Sequence, residues 1–140
     1  MDTKPSFAPV ILASAKREDC ASLQAIVEGT RWRLFPFGSH AEALGALEGA
    51  TTPVALWDRD LLRPTWQDAM KEIVLVRKGA GIVLLSSVAD PYLSDEVVEC
   101  GGFDVLTRPF RREPVLTTLL FAYTHCTARW PTIPMAGQKA

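Results

Sequence analysis

What the chain lacks narrows its class first. No run approaches the roughly 18 consecutive apolar residues that a membrane-spanning helix needs. The start, Met1-Asp2-Thr3-Lys4-Pro5, has no apolar stretch of the signal-peptide kind. Cysteine is scarce: Cys20, Cys100 and Cys126 are odd in number, far apart, and form neither a metal-ligand spacing nor a disulfide framework. They read as packed, reduced thiols of a cytoplasmic protein. Neither sign of charge is in excess; the net charge of −1 gives no electrostatic reason to expect nucleic acid as a partner. There is no G-x-G-x-x-G, Walker loop, zinc motif or nucleophile elbow. His40 and His125 have no Ser, Cys or acidic partner at motif spacing, so both read as structural or exposed. These absences exclude the common enzyme classes, and no enzyme is expected.

What is present is ordinary in amount and regular in order. The 140 residues, 48% hydrophobic and 22% charged, suit one soluble domain with a real core. Strand-like and helix-like segments alternate five times. The strands are expected at Ala8–Ser14, Trp32–Phe37, Val54–Asp58, Ile82–Ser86 and Phe103–Leu106. Their apolar runs are nearly continuous, as in strands buried on both faces. Cys20, Leu23, Ile26 and Val27 lie at helical spacing before the stop at Gly29. Ser39 and Glu42 form a capping-box pair opening a second helix that ends near Gly49. Thr65 and Asp68 open a third helix; Asp90 and Pro91 open a fourth that stops at Gly101-Gly102. Val115, Leu116, Leu119, Leu120 and Tyr123 mark a fifth that runs toward Trp130. Alternating β and α units with short connections predict a doubly wound α/β domain over residues 8–128. Residues 1–7 read as an N-terminal extension and 129–140 as a flexible tail.

Three strand ends carry the chemistry. Asp58 ends the third apolar run, Ser86 the fourth and Arg108 the fifth. In an open parallel sheet those ends converge on the crevice where ligands bind. A carboxylate nucleophile, a hydroxyl donor and a fixed cation suit phosphoryl transfer to an aspartate.

Asp58, Ser86 and the segment Thr107-Arg108-Pro109-Phe110, in that order and spacing, resemble the receiver domains of bacterial two-component response regulators. The resemblance implies a flavodoxin-like, five-stranded parallel sheet in the order 2-1-3-4-5 with five helices. It implies that Asp58 is the candidate phosphoacceptor, Ser86 the hydroxyl that senses the phosphoryl oxygen, and Arg108, in place of the family's Lys, the phosphate counter-ion. A histidine kinase or another signalling protein is the implied partner. A homodimer through the face built from the fourth helix, fifth strand and fifth helix is a further implication.

The chain also departs from that family. The two acidic residues that help receivers hold Mg²⁺ are replaced by Ser14 and Ala15. Mg²⁺ wants oxygen ligands, so its binding should be weak, with Asp58 and Asp60 as the remaining candidates. Lys16 and Arg17 are cations that could substitute in part, and Arg108 could clamp Asp58 through its fork. Glu18 and Asp19 are assigned to the first turn of the first helix, where acids favour the helix dipole, away from the crevice. Val105 stands at the switch position where the family carries an aromatic residue. Two readings follow: a phosphorelay receiver modified at Asp58 with weakened metal binding, or a phosphorylation-independent pseudo-receiver that acts as a protein–protein interaction module. A small flavodoxin-like domain with an unrelated ligand in the same crevice is a third.

Overall fold

A computed structural model of the protein describes residues 7–49 and 54–129. Its elements follow the expected alternation: β1 (Ala8–Ala13), α1 (Arg17–Val27), β2 (Trp32–Phe37), α2 (His40–Gly49), β3 (Val54–Asp58), α3 (Trp66–Val76), β4 (Gly81–Ser86), α4 (Leu93–Glu99), β5 (Asp104–Thr107) and α5 (Arg112–Arg129). A single 3-10 turn, Arg59–Leu61, follows β3. The strands form one parallel sheet in the order β2-β1-β3-β4-β5.

The continuous apolar runs are explained by burial on both faces. Every residue of β3 and β4 is buried. Alternate side chains therefore feed two cores. One face presents Leu12, Leu56 and Leu85 to Leu23 and Val27 of α1 and Leu119 of α5. The other presents Ala55, Trp57 and Leu84 to Leu47 of α2, Met70 and Ile73 of α3, and Val97 of α4. The first and last helices thus share one layer, and the middle three share the other.

Local signals fix most of the boundaries. The Ser39 hydroxyl accepts the Glu42 N–H at 3.2 Å, which opens α2 as the capping pair predicts. Thr65 is the cap residue of α3, although its side chain makes no capping bond. Asp90 and Pro91 do not start α4. The Asp90 carboxylate accepts the Tyr92 N–H at 2.9 Å, so the pair forms a turn and the helix begins two residues later, at Leu93. Gly101 ends α4 at φ +98°, a conformation that favours glycine. At Gly102 a Cβ would lie 2.6 Å from Val97 Cγ1 and 3.2 Å from the Ile82 carbonyl, so the chain re-enters the sheet where only glycine fits.

β1 stops at Ala13 rather than Ser14, but the Ser14 N–H still bonds the Phe37 carbonyl at 3.0 Å. Likewise Phe103, one residue before β5, donates to Ile82 O at 2.8 Å. All three cysteines are free thiols, with Cys126 buried. Among the described residues no helix is long and apolar enough to cross a membrane. The expected extension falls on residues 1–6, apart from Phe7, and the expected tail on 130–140, apart from Arg129; both stretches, with Trp130, lie outside the described residues.

Candidate functional site

Sheet register brings the strand ends together. Asp58 is opposite Leu85, and Ser86 is opposite Thr107, so Asp58, Ser86 and Arg108 form a stepped row at the C-terminal edge. The Arg108 N–H extends the ladder by donating to Ser86 O at 2.8 Å. Asp58 is buried, and both of its carboxylate oxygens are engaged. Oδ1 accepts from Arg108 Nη2 at 2.9 Å and from the Asp60 N–H at 3.1 Å. Oδ2 accepts from Lys16 Nζ at 2.8 Å. The same ammonium donates to Asp60 Oδ2 at 2.6 Å. Lys16 thus bridges two carboxylates from its place at the N-cap of α1.

The fork of Arg108 does not clamp Asp58. Its Nε and Nη2 grip Asp19 Oδ1 and Oδ2 at 2.8 and 2.6 Å, and Asp58 receives the single Nη2 bond. The placement of Asp19 away from the crevice is therefore corrected. It does sit in the first turn of α1, but it is only 2% exposed and faces the strand ends. The reason is geometric: α1 starts directly above the end of β1, so a residue on its inner side points into the crevice. Ser14 supports it, donating to Asp19 Oδ2 at 2.6 Å. Thus the substituted acidic-pair position orients an aspartate five residues later, while Ala15 is exposed.

The remaining predicted residues divide. Ser86 lines the crevice and is buried, with its hydroxyl making a local turn: it accepts the Val88 N–H at 3.1 Å. Arg59, not singled out by its sequence, lies at 3.5 Å from that hydroxyl and sits over the Trp66 ring. Arg108 also donates to Ser87 Oγ at 3.1 Å and lies over the Phe110 ring. Val105 is a half-buried β5 residue packed against the α2–α3–α4 layer. His40 is structural, and it has a partner: its Nδ1 accepts from the fully buried Trp57 indole at 3.1 Å. No sequence spacing marks that pair; it depends on α2 crossing the end of β3.

The charges of the crevice compensate one another. Burial acts to lower the Lys16 pKa, but its bonds to Asp58 and Asp60 and the Asp58 charge outweigh burial and raise it. Burial likewise acts to raise Asp19, yet the Arg108 and Ser14 bonds hold its carboxyl below the usual range. Asp60 is lowered chiefly by its bond to Lys16. Arg108 is raised, first by Asp19 and then, against burial, by Asp58. Three carboxylates thus meet Lys16, Arg108 and, at the exposed rim, Arg63 at 3.6 Å from Asp60. A divalent ion does not fit this donor set as arranged. Lys16 Nζ holds the place between Asp58 and Asp60, and Arg108 holds both oxygens of Asp19. Among the described residues no group of three or more His, Cys, Asp or Glu side chains is disposed to hold a metal.

No family model matches the chain, and no curated protein matches it. Solved structures do. The signal receiver domain of an HD domain-containing protein from Pseudomonas fluorescens Pf-5 superposes with a TM-score of 0.76 at 16% identity, covering 92% of this chain and 96% of that one. The beryllofluoride-activated NtrC4 receiver domain dimer gives 0.74 at 17%, covering 84% and 98%. The chemotaxis protein CheY4 of Vibrio cholerae gives 0.71 at 19%, covering 83% and 98%. The chain has the receiver-domain fold. The strand order and the five helices are those expected of a receiver, and the crevice just described lies where the strand ends of that fold meet.

Proposed function

We propose that this receiver-fold chain is a signalling module that works without phosphoryl transfer to Asp58, docking a partner in one fixed conformation. One observation carries the reading: both oxygens of the Asp58 carboxylate are tied within the chain, by Lys16 on one side and by Arg108 and the Asp60 N–H on the other. A nucleophile needs a lone pair aimed at the phosphorus and cations free to neutralise the incoming phosphoryl group. Here three hydrogen bonds fill most of the carboxylate's acceptor sites, and Lys16 and Arg108 are both committed to the resting ion pairs. Output then resides on the surface rather than in a chemical switch. Val98 of α4 and Phe121 of α5 are exposed apolar side chains on the two helices that flank β5, which supports a protein partner or a second copy on the α4–β5–α5 face. The module is proposed as a non-enzyme acting in the cytoplasm.

The test uses the protein's own reporters. Trp57 adjoins Asp58, and Trp66 lies beneath Arg59. Tryptophan emission is followed while Mg²⁺ and then beryllofluoride, a mimic of phosphoaspartate, are added. No saturable response is expected in the folded wild type. The rival reading, Asp58 as phosphoacceptor, draws on Ser86 and Arg108 lining the same crevice. A saturable response to the beryllofluoride step, beyond any change on adding Mg²⁺, that disappears in Asp58→Asn would replace the proposal with that reading.

A further inference from the structure

The fold implies a divalent cation in this crevice, and the donor set does not fit one. We infer that Lys16 is the resident cation of the site, a tethered ammonium that keeps divalent metals off a latent Asp58–Asp60 binding position. The inference deepens the proposed function and rests on the same crevice, but it concerns metal exclusion rather than phosphoryl transfer.

The geometry is specific. A single atom, Lys16 Nζ, lies 2.8 Å from Asp58 Oδ2 and 2.6 Å from Asp60 Oδ2. One point in space therefore reaches two carboxylates from different parts of the β3 edge. A metal would need that same point at the shorter distance of about 2.0–2.6 Å, with water completing its shell. Asp60 is half exposed, so a water-bearing ion could sit there without burying its whole shell. Lys16 is anchored for the task. It is the N-cap residue of α1, and its N–H donates to Ser14 Oγ at 3.1 Å, so the side chain starts close to the strand ends. Its cost of ordering is prepaid by the fold, which a free ion cannot match at millimolar concentration. Arg108 does not duplicate the role, because its fork is committed to Asp19.

Removing the ammonium leaves one more carboxylate than cation among the ion-paired groups. The wild type is expected to bind Mn²⁺ no more tightly than Asp58→Asn does, with free Mn²⁺ followed by electron paramagnetic resonance and no phosphoryl mimic present. In Lys16→Ala, affinity should rise by at least about tenfold, because a cation within the screening length of the ion is gone. Lys16→Gln, which keeps the length and polarity, serves if the alanine variant fails to fold. Lys16→Arg keeps the charge and should continue to exclude the metal. Adding Asp58→Asn to the Lys16→Gln variant should abolish the gain. Mn²⁺ binding by wild type that Asp58→Asn removes would overturn the inference, as would folded Lys16→Ala or Lys16→Gln variants that show no gain. Neither outcome bears on whether wild type responds to beryllofluoride, so the two proposals fail separately.

Discussion

Arg108 is the residue on which the crevice depends. Its guanidinium is the shared partner of two carboxylates, Asp19 and Asp58, that are 2% and 1% exposed. Truncation to alanine leaves Asp19 without a cation and Asp58 with Lys16 alone. Breaking a buried pair from one side costs about 3–5 kcal/mol, so Arg108→Ala should lose that much in urea unfolding. Arg108→Lys keeps the charge but cannot grip both Asp19 oxygens, and should fall between the two. Asp19 also sets a pH dependence. Its folded pKa is lowered relative to the unfolded value of about 3.9. A depressed carboxyl contributes stability that is complete above the unfolded value and is lost as pH falls through the folded one. The unfolding midpoint should therefore drop as pH is taken below about 4, and Asp19→Asn should flatten that part of the profile. An unchanged profile would show that Asp19 titrates alike in both states. At this scale the sequence was half legible. Asp58, Ser86 and Arg108 are readable because strand ends in a parallel sheet must converge. Asp19 and the Lys16 bridge are not, since they depend on the angle at which α1 leaves β1. The one available signal was the helical register that puts Asp19 four before Leu23, a buried residue of the same helix face.

Among the elements, β3 and α2 are joined by a polar contact inside an apolar layer. The Trp57 indole is fully buried and donates to His40 Nδ1, with the rings edge to face at 5.5 Å. His40→Phe would keep the ring and orphan the indole N–H. Leaving a buried donor unsatisfied costs about 1–3 kcal/mol, and denaturant unfolding should show a loss in that range, with a shift in Trp57 emission. No loss would mean that water reaches the indole. The α4-to-β5 turn makes a second element-scale case. Gly102→Ala would press a methyl against Val97 Cγ1 and the Ile82 carbonyl. The backbone atom cannot rotate away, so overpacking of about 1–3 kcal/mol is expected, again read from the unfolding midpoint. Element order was almost fully legible, because two-sided burial writes itself as unbroken apolar runs and the caps and glycines punctuate them. Where it slipped, at Asp90-Pro91, a turn and a helix start share the same residues: an Asp side chain bonds the N–H two residues on in either case. Only the tertiary position of Leu93, buried in the α2–α3–α4 layer, decides between them.

For the molecule as a whole, the sheet order sets how rigidly the crevice is held. β3 and β4 are central and buried throughout, whereas β5 is a four-residue edge strand whose residues are mostly half-buried or exposed. Asp58 and Ser86 thus ride on the stiffest part of the fold, and Arg108 on one of its margins. The bonds from Arg108 to Asp19 and Asp58 offset that weakness. They join the chain just beyond β5 to α1 and β3, segments 89 and 50 positions away in sequence. Regions with few buried contacts open at lower free energy than the core. Amides of Val54–Trp57 and Ile82–Leu85 should therefore exchange only through global unfolding, and those of β5 through a smaller opening. Arg108→Ala should speed exchange in β5 and the first turn of α1 beyond what its loss of global stability accounts for. Measured at graded low denaturant, exchange in the variant would separate the two contributions. If β5 and the start of α1 merely followed the global change, the ion network would be a passenger on the sheet. If they moved together and ahead of it, the network would be the clasp that holds one edge of the receiver fold in the single conformation the proposed function requires.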